Sequence, residues 1–155
     1  MRPDARILSV LDALLNNRDI SVDDAVEQHF SDDYRQRTDG VWSDRAGFVE
    51  HIAHLREIID RAEIEVLDEL VYDRSYADRH RAHITRIDGT IVVQEVYLFG
   101  ALADDGRFTE VHEATHMITG TDADRDIGNA RADHKPARHV SKGVGAAFDL
   151  GPPLR

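Results

Sequence analysis

A carboxylate among apolar and hydroxyl side chains on a strand is a candidate general acid or base, and Glu113 is the leading one in this chain. Its period-two neighbours are Thr109, Val111, Thr115 and Met117, an uncharged set that suits the wall of a cavity. Desolvation there raises a carboxyl pKa, which proton transfer near neutral pH requires. The alternative is a structural ion pair with an Arg of the adjacent strand. Glu95 shares a strand face with Tyr97, Phe99 and Ala101. Which upstream residues join that face depends on the turn at Asp88-Gly89. A two-residue turn sets Glu95 opposite Ala82 and Tyr97 opposite His80, bringing Asp78 and His80 onto the face of Glu95. A one-residue bulge presents Arg79 and Arg81 instead. In the first register Asp78, His80, Glu95, Tyr97 and Glu113 form one cluster.

The histidines do not suggest a metal. His51 and His54 are three apart on a helix whose buried centre is Phe48, Ile52, Leu55 and Ile59, which puts His51 on the margin of that face and His54 towards solvent. His112 and His116, four apart on a strand, are separated by about 13 Å, too far for one ion. No HExxH spacing occurs, and the chain has no cysteine, which removes thiolate ligands, thiolate nucleophiles and disulfides. No metal and no other cofactor is expected.

The elements that position these residues follow from periodicity. Residues 4–16 carry Ile7, Leu8, Val10, Leu11, Leu14 and Leu15 at helical spacing. A second helix starts behind Ser21 and runs through Val22, Ala25, Val26 and Phe30, and a third, expected to be capped by Ser43, buries Phe48, Val49, Ile52, Leu55, Ile58 and Ile59. Residues 31–42 between them read as irregular. From Ala62 the period changes to two. Strand character then persists to Thr119, with Asp88-Gly89 and Asp105-Gly106 as hairpin signals. After Gly120 no core element is evident. The expected fold is α+β, three N-terminal helices packed on a curved sheet that encloses a pocket. The domain is expected over residues 1–120, with 121–155 a C-terminal extension, irregular or docked on the body or on a neighbouring subunit.

Composition narrows the functional classes. At 155 residues the chain is long enough to bury a core without a staple. A net charge of −11 argues against binding a phosphate backbone, so nucleic acid is not an expected partner. Residues 131–155 are the exception, with five Lys or Arg against two Asp. Charges interrupt the apolar positions of the first twenty residues, and no stretch is long enough to span a bilayer. A cytoplasmic protein with no membrane partner is the expectation.

A helix-rich first half, Phe30-Ser-Asp-Asp-Tyr34 after the second helix, Gly47-Phe48 opening an apolar helix, Glu95-Val-Tyr-Leu-Phe99, and Asp105-Gly-Arg-Phe-Thr-Glu-Val-His-Glu113 together resemble the nuclear transport factor 2-like superfamily, and within it the SnoaL-like polyketide cyclase group. The resemblance covers about residues 4–120. It implies a cone of strongly bent antiparallel or mixed sheet closed by helices around an internal cavity, and a homodimer through the outer sheet face. It also implies a cavity-facing acid seven residues after the last hairpin glycine, which is Glu113, and an inward face for Glu95, Tyr97 and Phe99. Tyr34 and Trp42 would bracket the cavity mouth. Arg37 stands where many relatives carry His, and the Arg-x-Asp pair of the epoxide-hydrolase branch is absent near Asp78 and His80. The superfamily includes enzymes and non-catalytic binders. The reading is a small-molecule pocket protein, a cofactor-free isomerase, cyclase or dehydratase with Glu113, His80 and Glu95 as catalytic candidates. Tyr34, Trp42, His51, Asp78, Tyr97, Phe99, Val111, Thr115 and Met117 are the ligand-binding candidates. A non-catalytic binding or interaction module is the alternative. His112, Ala114, His116 and Ile118 alternate opposite the cavity residues and are expected at the dimer contact.

Overall fold

Asp-Gly turns decide how this sheet is registered, and they come in two kinds. The computed structural model describes residues 6–132. In order, these form helix α1 (Arg6–Leu11), which continues as a single π turn (Asp12–Asn16), then α2 (Val22–His29), strands β1 (Phe30–Thr38) and β2 (Val41–Asp44), helix α3 (Arg45–Ile58), and strands β3 (Ile59–Tyr72), β4 (Ser75–Arg86), β5 (Ile91–Leu102) and β6 (Phe108–Thr119). The sheet order is β2-β1-β6-β5-β4-β3, antiparallel except for the parallel pair β1–β6. The sheet curls without closing, since β2 and β3 remain its two edges.

Asp39 and Gly40 make the tight kind of turn. Both have positive φ, 48° and 85°, so Thr38 pairs directly with Val41 in a two-residue hairpin. The stretch read as irregular is therefore a strand pair, and Tyr34, Gln36 and Thr38 share its buried face. At Asp88-Gly89 and Asp105-Gly106 only the glycine has positive φ, 86° in each, and the amide of that glycine bonds back to the carbonyl three residues earlier. Such a turn adds a bulge residue. Arg81 consequently pairs with Glu95, Arg79 with Tyr97, His80 with Val96 and Asp78 with Leu98.

The helices cover the concave face through one apolar core. Ser21 caps α2 by accepting from the Asp24 amide at 3.1 Å. α3 is capped by Asp44 rather than Ser43: the Asp44 carboxylate accepts from the Gly47 amide at 2.8 Å, because β2 stays extended through Asp44 and the helix starts one residue later. Phe30 is the hub of an aromatic cluster, 4.5 Å from the Tyr34 ring, 4.8 Å from Phe48 and 5.8 Å from Phe108. Aromatic pairs at such separations stabilise beyond their buried area.

The chain after Gly120 also contributes to this core, which corrects the expectation of no core element there. Two 3-10 turns (Asp122–Asp124 and Ile127–Asn129) carry Ile127 into the apolar cluster at 5% exposure. Asp124 ties the segment to β4 through Arg86, and Asn129 Nδ2 donates to the Thr38 carbonyl at 3.1 Å. The remaining residues of the basic C-terminal stretch lie outside the described range.

Candidate functional site

Between α1, α3 and the inner sheet face lies a cavity of about 100 Å³. Most of its wall is aliphatic and aromatic, including Leu14, Ile52, Leu98 and Phe108; the polar exceptions are Tyr34, Gln36, His51 and Glu113. Each is there for a local reason. Tyr34 and Gln36 alternate on β1, Glu113 is set opposite Thr38 by the parallel β1–β6 register, and His51 follows Phe48 by three on the buried side of α3.

The β1 residues and Glu113 form a continuous hydrogen-bond chain. Tyr34 Oη donates to Gln36 Oε1 at 2.8 Å, Gln36 Nε2 donates to Thr38 Oγ1 at 3.2 Å, and Thr38 Oγ1 donates to Glu113 Oε1 at 2.8 Å. Burial pushes the Glu113 carboxyl above the usual carboxylate range, against the Thr38 bond and the nearby His80, which act the other way. Among the described residues no Arg or Lys pairs with it. Burial also drives the Tyr34 hydroxyl well above its ordinary value, with the neighbouring Glu113 adding to the effect.

His51 Nδ1 lies 2.7 Å from the Ala130 carbonyl oxygen. Burial lowers its pKa to about 4, so the ring is neutral at pH 7. The cavity wall thus carries a neutral imidazole and a carboxyl whose pKa burial raises.

Asp78 and His80 are on the inner face of β4, one bend of the sheet away. His80 Nδ1 is 2.5 Å from Asp78 Oδ1, and both are buried. Leu98 pairs with Glu113 on one side and Asp78 on the other, so the two carboxylates flank its side chain across the sheet. Asp78 Oδ2 has no hydrogen-bond partner among the described residues.

The expected site residues therefore divide into three groups. Tyr34, His51, Val111 and Glu113 line the cavity. Asp78, His80, Thr115 and Met117 share its side of the sheet without lining it; Thr115 is held by the Asp39 carboxylate at 2.5 Å, and the Met117 sulfur is close to Gly120. Glu95, Tyr97, Phe99 and Trp42 are on the opposite, outer face, which corrects the inward placement expected for the first three and the cavity-mouth position expected for Trp42. Glu95 accepts from Tyr97 Oη at 2.6 Å and from Arg81 Nε at 3.1 Å, with Arg79 at 3.7 Å. These bonds hold its carboxyl below the ordinary range, Tyr97 first and Arg81 next. That is a structural ion-pair network. Trp42, paired on β2 with Arg37 of β1, packs on His112 at 5.2 Å and under the Arg35 guanidinium at 4.6 Å. Gln36 and Thr38 were the residues missed. Alternation with Tyr34 ahead of the Asp39-Gly40 turn was the signal for them.

No family model matches the chain. A relative in Schizosaccharomyces pombe, an uncharacterised protein, is 30% identical over 114 residues, covering 73% of this chain and 87% of that one. Among solved structures, AclR of Streptomyces galilaeus, a candidate hydroxylase, aligns with TM-score 0.60 at 15% identity over 81% of this chain and 96% of its own. IdmH of Streptomyces antibioticus, a candidate polyketide cyclase, aligns with TM-score 0.58 at 14% identity over 74% and 92%. An NTF2-like protein of unknown function from Exiguobacterium gives 0.58 at 12% identity over 70% and 93%. At these identities the solved structures establish a shared fold. The helices over a curled six-stranded sheet give the chain the fold of the NTF2-like and SnoaL-like proteins, and the chain belongs to one family with the fission-yeast protein.

Proposed function

We propose that this protein is a cofactor-independent acid/base enzyme acting on a small, mostly apolar molecule, with Glu113 as the group that takes and returns a proton. The observation that carries the reading is the Glu113 carboxyl itself: buried on an apolar cavity wall, held by one hydroxyl and shifted upward by desolvation. A proton acceptor for a carbon acid needs that environment. His51, neutral and on the same wall, offers a polar contact to a bound molecule, and the nearby His80 opposes the upward shift of Glu113. Isomerisation, cyclisation and dehydration of a carbonyl compound all begin with removal of a proton next to the carbonyl. A cavity of about 100 Å³ limits the enclosed part of the substrate to a small ring or short chain. The names of AclR and IdmH agree with small-molecule chemistry on this scaffold. The protein works as a homodimer through the outer sheet face, where Phe99 and Ile118 are 70% and 48% exposed.

The experiment is deuterium exchange at carbon. Small cyclic ketones incubated with the protein in D2O are expected to exchange their α-protons above the buffer rate, and Glu113→Gln to lower that rate about 100-fold or more. Absence of exchange across ketones that bind the cavity would remove the catalytic reading. The small cavity volume supports a second reading, in which the protein's own side chains fill the cone and the outer face is the functional surface, since ligand pockets usually exceed about 300 Å³.

A further inference from the structure

Tyr34, Gln36, Thr38 and Glu113 are linked by three hydrogen bonds that all point one way, towards the carboxylate. Tyr34, Gln36 and Thr38 are 1%, 5% and 0% exposed, so bulk water does not satisfy them and each must find its partner inside the chain. The direction has a consequence at the cavity end: the Tyr34 proton is spent on Gln36, leaving Tyr34 unable to donate to a bound molecule.

We propose that Gln36 is a positioning residue whose amide turns over when Glu113 gains a proton, reversing the chain and releasing the Tyr34 hydroxyl to donate into the cavity. With Glu113 ionised, Oε1 can only accept, which fixes the observed direction. When the carboxyl carries its proton on the oxygen beside Thr38, it becomes the donor there. Thr38 then gives its own proton to Gln36, which requires the amide oxygen on that side, and a half-turn about the last side-chain bond provides it. The amide nitrogen is then beside Tyr34 and donates to its oxygen, and the Tyr34 proton is free to face the cavity. No proton leaves any of the three β1 side chains; only the polarity of their bonds reverses. In turnover, Glu113 takes a proton from a C–H bond, the electron pair moves onto the carbonyl oxygen, and Tyr34 donates a hydrogen bond to that oxygen as charge appears on it. The use of the reversal in turnover rests on the acid/base reading above, whereas the reversal itself does not.

Other groups facing Glu113 are Asp39 from the β1–β2 turn, Asp78 and His80 from β4, and His51 from α3 across the cavity. None of them bonds to Gln36 in the structure, so a change in the Gln36 amide that follows Glu113 reports the chain.

The test uses the isotope-labelled full-length protein and NMR. Titration of the Glu113 carboxyl carbon locates its midpoint. Above that midpoint the Gln36 amide protons are expected to show their stronger cross-relaxation to the Thr38 methyl, and below it to the Tyr34 ring protons. The same pattern on both sides would overturn the inference. Thr38→Val, close in shape, removes the one donor to the carboxylate among the described residues; it should raise the Glu113 midpoint by about one pH unit and abolish the Gln36 change, and Thr38→Ser should restore both. An unmoved midpoint, or a Gln36 change that survives in Thr38→Val, would also overturn it. A protein without α-proton exchange whose Gln36 still turns over loses the proposed function and keeps this inference; an active protein with a fixed amide does the reverse.

Discussion

His51 Nδ1 is 2.7 Å from the Ala130 carbonyl oxygen, and because a carbonyl only accepts, the ring keeps its proton on Nδ1 and its lone pair on Nε2. One bond thus sets the tautomer of a cavity-wall histidine from the segment that follows the last strand. Asn129 and Ile127 of that segment hold it against β1 and the core.

Burial of His51 makes stability depend on pH. Its folded pKa, about 4, is below the unfolded value of 6.5, so as pH falls through 6.5 the unfolded chain takes up a proton that the folded protein refuses. Stability from this group is complete above 6.5 and is lost towards pH 4, by about 2 kcal/mol at pH 5. His51→Gln should flatten the melting-temperature profile between pH 7 and pH 5 relative to wild type. Parallel profiles would show that the ring titrates normally.

Glu95 belongs to the outer ion-pair network with Arg81, Arg79 and Tyr97. Glu95→Gln should leave α-proton exchange and the Glu113 midpoint unchanged, with a modest fall in melting temperature that shrinks in high salt. A loss of exchange comparable to that of Glu113→Gln would return Glu95 to the catalytic set.

The contrast between these two glutamates shows how far the sequence reaches. Period-two alternation placed both on strands, and the order of helices and strands was legible from apolar spacing. The face each glutamate occupies was not, because it depends on one residue of register. Asp88-Gly89 and Asp39-Gly40 are the same dipeptide, yet the first sits in a bulged turn and the second in a two-residue turn, distinguished by the sign of φ at the aspartate. Glu113 escaped that ambiguity through its uncharged strand neighbours. Gln36 and Thr38 were hidden because polar residues buried in a hydrogen-bond chain look, in sequence, like a solvated loop. Ile127 was hidden because a lone apolar residue among Gly, Asp and Arg has no period.

The outer face combines the exposed rings of Tyr97 and Phe99 with Ile118 and the edges of His112 and His116. If two copies meet there, Phe99→Lys places two unpaired charges in a symmetric contact and should weaken the dimer tenfold or more. Sedimentation equilibrium of wild type and variant reads this directly. A wild-type monomer at about 100 µM, a concentration at which even a weak dimer near −6 kcal/mol would form, would exclude the contact.

The melting temperature of Glu113→Gln beside wild type, at pH 8 and at pH 4, tests the central claim without a known substrate. The Glu113 pKa is raised on folding, so its contribution to stability is present below the ordinary carboxylate pKa and is lost as pH rises through the folded value. An ionised carboxylate is held there at a cost that the amide avoids, so at pH 8 the variant should melt at the same temperature as wild type or higher, the gap closing at pH 4. A marked drop for the variant at pH 8 would mean that the carboxylate is a structural partner of the fold, and would contradict its assignment as the proton-transfer group.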